Sequence, residues 1–511
     1  MIALLPLDNR PCNTRFPAQI ARIGGDELLL PPDSLLGFFN TPGQPCALAS
    51  WVRGLPPEVE ALVVSVDMLA YGGLVASRRP SVPFEQAIEH LQVLREFREA
   101  RPEVPIYAFN VLMRLAITMD GDAAVAHYYN IMRYARLADE AERFGSPYLR
   151  DELRKVKAEI PAPVLDSYLQ ARARNHQVNR RMIEWLAQGT FDTLLITQED
   201  ATEWGLHRGE QDDLLALRDS LGVENSMSLH PGADEAALSL IARHWNTGVS
   251  LRPRVSEQAD FERIAPFEDR PYNLGLSQHV AAMRGQLREQ NDASSTCDAD
   301  FELFVNAPVG GSQHDEKEPA CAERRERLQP WLDALQLAIE AGRSVALCDV
   351  AFPNGADNLV LAELEKRRLL GSLSAFAGWN TAGNTTGTIL ANCAALKRAS
   401  EAGIDTSELA RRFTFERMVD DWFYQAKVRA RVERAARERG VSPLRMDERD
   451  GQGCQEQARR ELQPFAQMLA TRHFDAPLER CEVRLPWRRT FEVDVRAALG
   501  CPAPARQPTR A

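Results

Sequence analysis

The sequence predicts an α/β protein, and three observations carry that prediction. Ten short apolar runs recur along the chain, and most precede segments with apolar residues at helical spacing and charges between. The runs lack clean polar alternation, which suits strands buried on both faces of a parallel sheet. Strands that alternate with helices mark the α/β class. The expected architecture is two parallel-sheet, Rossmann-like lobes at 1–250 and 251–400, or else a modified β/α barrel. A helical insertion at about 120–190 and a helical C-terminal region at 401–511 complete it.

In chain order the predicted strands are 2–7, 27–30, 61–66 (ALVVSV), 105–109 (PIYAF) and 193–197 (TLLIT), then 226–229, 248–251, 302–305, 344–347 and 373–377. Residues 84–100 (FEQAIEHLQVLREFREA) are representative of the helices between them. The insertion holds no strand but long amphipathic helices, including 165–188. Beyond 400 the chain is rich in Arg and Glu and reads as mainly helical, as over 415–438. The polar stretch 289–300 reads as a loop, and the Pro-rich end CPAPARQPTRA as a frayed tail. No internal repeat of fixed period is present.

Composition bounds the function. The chain has 511 residues, 44% hydrophobic and 26% charged, which is room for two to four domains with ordinary cores. The net charge of −11 leaves no basic field for a nucleic-acid backbone. No run approaches the ~18 apolar residues of a membrane helix, and no cationic start precedes the first apolar run as in a signal peptide. Nine cysteines, an odd number without a CxxC pair, predict reduced thiols in a cytoplasmic protein.

In open α/β sheets and β/α barrels the ligand sits at the carboxyl ends of the strands. Here those ends are polar. Asp8, Asn9 and Arg10 follow the first strand, Asp67 the third, and Asn110 and Arg114 the fourth. The fifth delivers Glu199 and Asp200, then Trp204 and His207; the sixth delivers His230, Asp234 and Glu235. Asn306 closes the eighth strand, with Gly310 and Gly311 beyond it, and Asp349, Asp357 and Asn358 follow the ninth. Trp379, Asn380 and Asn384 follow the tenth. Each alone reads as a turn former or helix cap. Together, such groups are costly to desolvate unless they pair or meet a ligand, which makes them a candidate site.

The segment around Asn384 could hold an anion on helix N–H groups, but it has neither the lysine of a P-loop nor a GxGxxG pattern. There is no GxSxG elbow and no compact zinc spacing. Asp420, Asp421 and Trp422 lie on a helix and read as packing residues.

Five strings, LLPLDNRPCN at the start, SVDMLAYGGLVASR at 65–78, HPGADEAAL at 230–238, DVAFPNGADN at 349–358 and GWNTAGNTTG at 378–387, resemble those of a bacterial group, the domain-of-unknown-function 4127 family. The resemblance spans 1–430 with the motifs in order. It implies one evolutionary unit of about this length and a bacterial source, and it implies no activity, cofactor or site residue.

The residues themselves therefore set the expected chemistry. The first expectation is a carbohydrate-active hydrolase that cleaves a glycosidic bond with paired carboxylates, Asp67 and Asp200, with Asp349 and Glu199 as substitutes. Arg10, Arg114, Asn306, Asp357, Asn358 and Asn380 would grip a small polar or sugar-like substrate, with Trp379 or Trp204 as stacking platform. That chemistry requires no cofactor. The second expectation is a metal-dependent hydrolase or lyase using a divalent ion on His207, His230, Asp8, Asp67 and Asp200. The third is a non-catalytic two-lobe protein that closes on a polar ligand.

Overall fold

The computed structural model describes residues 1–119, 121–288, 299–309 and 320–500. Most of the stretch 289–300, Gly310 and Gly311, and the tail 501–511 lie outside the described residues.

Eleven strands form two sheets: β1 (Ile2–Leu5), β2 (Leu28–Leu29), β3 (Ala61–Ser65), β4 (Ile106–Leu112), β5 (Thr193–Gln198), β6 (Met227–Pro231), β7 (Ser250–Val255), β8 (Gln286–Leu287), β9 (Phe301–Asn306), β10 (Val345–Asp349) and β11 (Ala375–Ala377). The first sheet has the order β2-β1-β3-β4-β5-β6 and the second β11-β10-β9-β7-β8. Both are parallel, so the protein is α/β with two open sheets and not a barrel. All ten predicted runs are strands; the two-residue β8 was too short to register as a run. Both sheets share one winding rule: the second strand in chain order lies outside the first, and the third lies on its other side.

The chain divides into two compact units, Met1–Ser250 with Ala259–Leu287 and Thr381–Asp405, and Leu251–Gln258 with Arg288–Asn380 and Thr406–Ala511. This differs from three consecutive domains. The helix Ala382–Ala402 packs on the helices Arg15–Ile23, Ala236–Trp245 and Tyr272–Ala282 of the first unit, and the C-terminal helices share one core with β9 and β10.

In the first unit alternate strand residues feed two cores. Ala3, Leu5, Leu62, Val64, Ala108 and Ile196 pack on one face, and Ile2, Leu4, Val63, Phe109 and Leu195 on the other. Period-two alternation between two apolar faces is why these strands read as continuous hydrophobic runs. The insertion is helical as expected, with Asp122–Phe144, Pro147–Glu159 and Ala162–Ala187 around Ile131, Val156 and Tyr168.

In the second unit the C-terminal region is helical through Ser407–Arg417, Arg429–Glu438 and Glu448–His473. Two features depart from the expectation. The middle of 415–438 is a π-helix, Met418–Val428, whose wider turn is rare and is met at functional sites. An antiparallel hairpin, β12 (Leu478–Arg484) with β13 (Asp494–Leu499), follows. Its first strand is mostly solvent-facing and dense in Arg and Glu, so it carried no apolar run to mark it. Among the described residues no helix is long and apolar enough to cross a membrane.

Candidate functional site

The winding order of the first sheet reverses between β1 and β3, and the crevice at such a switch point is where open α/β sheets bind ligands. Asp8 follows β1 and Asp67 follows β3, so a carboxylate stands on each side. Asp8 accepts Arg10 Nε at 3.0 Å and Nη2 at 2.7 Å, and Asn13 Nδ2 at 2.9 Å. The same guanidinium donates to Asp234 Oδ1 at 2.6 Å and Oδ2 at 3.2 Å. Asp234 is fixed from behind by its own N–H on Asn384 Oδ1 at 3.1 Å. Burial lifts the Asp234 carboxyl to about 6 against the pull of Arg10. Asn9 lies half-buried in the turn between them.

Asp67 stands at the start of a short helix, Val66–Tyr71, that Ser65 caps by accepting Met68 N–H at 3.2 Å. Its Oδ2 accepts the Val111 N–H of β4 at 2.9 Å, and its side chain is buried. Burial raises its pKa to about 7, and the negative charge of nearby Glu199 adds to the shift. Glu199 is gripped by Arg78, with Arg114 at 3.8 Å, and its Oε2 is buried without a hydrogen bond. Arg78 also donates to Thr118 Oγ1 at 2.8 Å. Asp200 pairs with Arg114, which donates as well to the Tyr128 hydroxyl at 3.1 Å. Asp200 is the more exposed of the two neighbours, its side chain 26% accessible. Asp67 and Glu199 are thus the two buried carboxyls of this group.

At the end of β6 a second group forms. Among the described residues, His230, Glu235 and His279 bring one potential ligand atom each within 4.8 Å of one another. His230 Nδ1 lies 2.8 Å from Pro231 O and 3.8 Å from Glu235 Oε1. The rings of His230 and His279 approach to 3.9 Å. Burial lowers His230 to about 4 and His279 well below the usual imidazole range, and it raises Glu235 well above that of a carboxylate. Next to them Glu268 accepts Gly383 N–H at 2.8 Å, and burial lifts its carboxyl to about 8. The helix opening expected to hold an external anion is therefore met by the protein's own Glu268. A small pocket with Pro231, Glu268, Tyr272, His279, Gly383 and Thr386 in its wall opens here.

The second unit has its own cluster at the ends of β9 and β10. Asn306 Nδ2 donates to Asp349 Oδ1 at 3.0 Å and Asp357 Oδ2 at 3.1 Å, and Arg324 donates to Asp357 Oδ2 at 2.5 Å. Asp349 accepts the Asp357 N–H at 2.8 Å; burial, with Asp357 beside it, raises its pKa to about 7. Asp357 caps the helix Asn358–Lys366, and Asn358 Oδ1 accepts Trp422 Nε1–H at 3.0 Å. The turn-and-cap role of NGADN is thus observed directly. Asp421 accepts Arg417 Nη1 at 2.8 Å and Gly378 N–H at 2.9 Å. Asn380, at φ 64, accepts Asn354 N–H at 2.8 Å, and neighbouring Trp379 is buried.

Residues 2–496 match the family described as "Protein of unknown function (DUF4127)". The chain belongs to that family. No curated protein matches the chain. Four of the five strings that carried the DUF4127 resemblance supply the first unit's site: DNRPCN gives Asp8, Arg10 and Asn13; SVDML gives Asp67; HPGADE gives His230, Asp234 and Glu235; and GNTTG gives Asn384. DVAFPNGADN supplies the second unit's cluster.

Several expected site residues are engaged elsewhere. The fourth strand runs to Leu112 and not to 109, so Asn110 lies inside β4 and is tied to Asn179 of the insertion. Trp204 packs edge-on against Phe144 at 5.3 Å, beside Arg143 and Arg208. Buried His207 lies 3.7 Å from Asp269, with no hydrogen bond at either ring nitrogen, and burial lowers it to about 3. The expected metal set of His207, His230, Asp8, Asp67 and Asp200 does not converge as a group; only His230 belongs to a three-ligand cluster. Asp349, Asn306, Asp357, Asn358, Trp379 and Asn380 belong to the second unit. Sequence reasoning missed His279 and Glu268, which follow no strand. The one available signal was a histidine inside an otherwise uncharged helix, YNLGLSQHVAA.

Proposed function

We propose that the strand-end crevice of the first unit is the active site of a carbohydrate-active hydrolase that cleaves a glycosidic bond, with Asp67 as general acid and Glu199 as nucleophile or base. One observation carries this reading: a buried acid whose pKa lies near 7 has close by it the carboxyl of Glu199, held by two arginines, at the ends of β3 and β5, the two strands that flank β4. Glycosidic cleavage needs that asymmetry, because one carboxyl must deliver a proton to the leaving oxygen while the other attacks or activates water. Asp67 protonates the leaving oxygen and is left as a carboxylate. Arg78 and Arg114 hold Glu199 in position. Asp8, Arg10, Asn13 and Asp234 offer a rigid set of donors and acceptors suited to sugar hydroxyls. The retaining or inverting course follows from whether Glu199 attacks the anomeric carbon or takes a proton from a water whose oxygen attacks it.

The test is turnover of a panel of aryl glycosides by the full chain, beside Asp67→Asn and Glu199→Gln. Removal of a general acid or its partner lowers rates by roughly 10²–10⁴-fold. The proposal fails if no glycoside is turned over, or if either folded variant keeps the wild-type rate.

A further inference from the structure

We propose that His230, Glu235 and His279 are a three-ligand site for a divalent transition-metal cation of the zinc type. The inference is independent of the glycosidase reading, and four observations on the first unit support it.

The donor set is the first. Two imidazoles and one carboxylate suit Zn²⁺ and its first-row neighbours, and three protein ligands leave a coordination position open. The three ligand atoms already lie within 4.8 Å of one another. An ion that takes bonds of ~2.0–2.2 Å would draw them in by roughly one ångström.

The second is what these atoms lack. His230 Nε2 and Glu235 Oε1 are buried with no hydrogen-bond partner, and the His279 ring has the Pro231 carbonyl for one nitrogen at most, which leaves the other bare. A bare buried polar atom is costly, so each of these side chains has an atom in need of a partner. One cation would take one atom from each of the three.

The third is the support behind the ligands. His230 Nδ1–H on Pro231 O sets the neutral tautomer and leaves a lone pair on the other nitrogen. Glu235 Oε2 accepts Ala233 N–H at 2.9 Å, which leaves Oε1 as the unpartnered oxygen. Such outer hydrogen bonds orient metal ligands.

The fourth is the space reserved for Glu235. Gly232 takes φ +106, and a Cβ there would stand 2.1 Å from Glu235 Oε1. A Cβ on Gly387 would stand 2.1 Å from Glu235 Cγ. Two glycines from two separate sequence motifs thus clear room for one carboxylate. The small pocket reaches His279 and gives an entry path.

The full chain, stripped with chelator and then loaded with Zn²⁺ and desalted, is assayed for metal content. One ion per chain is expected, with a rise in the thermal midpoint on loading. Glu235→Gln and His279→Gln lose the ion, whereas His207→Gln, a buried histidine outside the triad, keeps it. Circular dichroism of each metal-free variant establishes that it folds. Should a triad variant fail to fold, the visible spectrum of Co²⁺ on the wild-type chain still decides the matter, since nitrogen–oxygen ligation at low coordination number differs from the aquo ion. The proposal is overturned if the wild-type chain retains no Zn²⁺, if Co²⁺ keeps its aquo spectrum, or if a folded triad variant retains the full equivalent. Metal content is read without any substrate, so failure of the glycosidase reading leaves this result untouched.

Discussion

Arg10 and Asp234 stand 224 positions apart in the chain and are joined by two hydrogen bonds of 2.6 and 3.2 Å. Three strands separate β1 from β6 in the sheet, so the segment after β6 must reach back over the strand ends to make that contact. The same guanidinium donates to Asp8, so it bridges two buried carboxyl groups. Arg10→Met removes the cation and keeps most of the stem. Breaking a buried pair from one side costs about 3–5 kcal/mol because a charge is left uncompensated. The urea midpoint should fall accordingly with little change in slope. A loss under ~1 kcal/mol would show that the crevice admits enough water to solvate both acids.

Gly387→Ala offers a test of the packing between two motifs. In an exposed helix interior, Gly to Ala gains about 0.5–1 kcal/mol. Gly387 lies in the buried helix Ala382–Ala402, where the added Cβ would meet Glu235 Cγ at 2.1 Å and Cβ at 2.7 Å. The expected outcome is a loss of about 1–3 kcal/mol, the cost of overpacking a tight site. A neutral or stabilising result in thermal unfolding would mean that Glu235 has room to swing away.

The strands were legible because both faces of a parallel sheet are apolar, which makes runs such as ALVVS at 61–65 visible without any partner information. The polar strand ends were legible for the complementary reason: Asp8, Asp67, Glu199 and Asp234 interrupt those runs where the chain turns out of the sheet. Which of them meet was not. Asp67 has Glu199 and not the adjacent Asp200 as its buried neighbour, and no spacing rule predicts which of two successive carboxyls beyond β5 is the buried one. His279 and Glu268 were invisible since they reach the site from a helix and a loop that follow no strand. The π-helical turns of Met418–Val428 were hidden as well, because their apolar spacing still reads as an ordinary helix.

Asp67 gives the proposed hydrolase a pH signature. The acid form is the one required, and its pKa lies at about 7, burial being the largest cause of the rise. The expected kcat/KM falls roughly tenfold per pH unit above that value. Asp67→Asn should abolish the limb along with most of the rate. A profile that rises through pH 7 would instead make Asp67 a base and invert the assignment.

Four buried carboxyls also set how stability depends on pH. Burial raises Asp67, Asp349 and Asp421 to about 7 and Glu268 to about 8, whereas their ordinary values are 3.8 and 4.5. Between those values the folded chain binds more protons than the unfolded one, so stability is fullest at the acid end and falls as pH rises through about 7. The buried histidines act in the other direction, since His207 and His230 are lowered and must take up protons on unfolding below about 6.5. The cleaner window is therefore pH 7–9, where the unfolded histidines are mostly neutral. Each carboxyl contributes under 1.4 kcal/mol per pH unit there, for a combined loss of about 2–3 kcal/mol. Urea unfolding in chelator across that window should show a falling midpoint, and Asp349→Asn should flatten part of the slope. A midpoint that rises from pH 7 to 9 would mean that these acids are ionised in the fold, each with a cation or a water close enough to hold its charge.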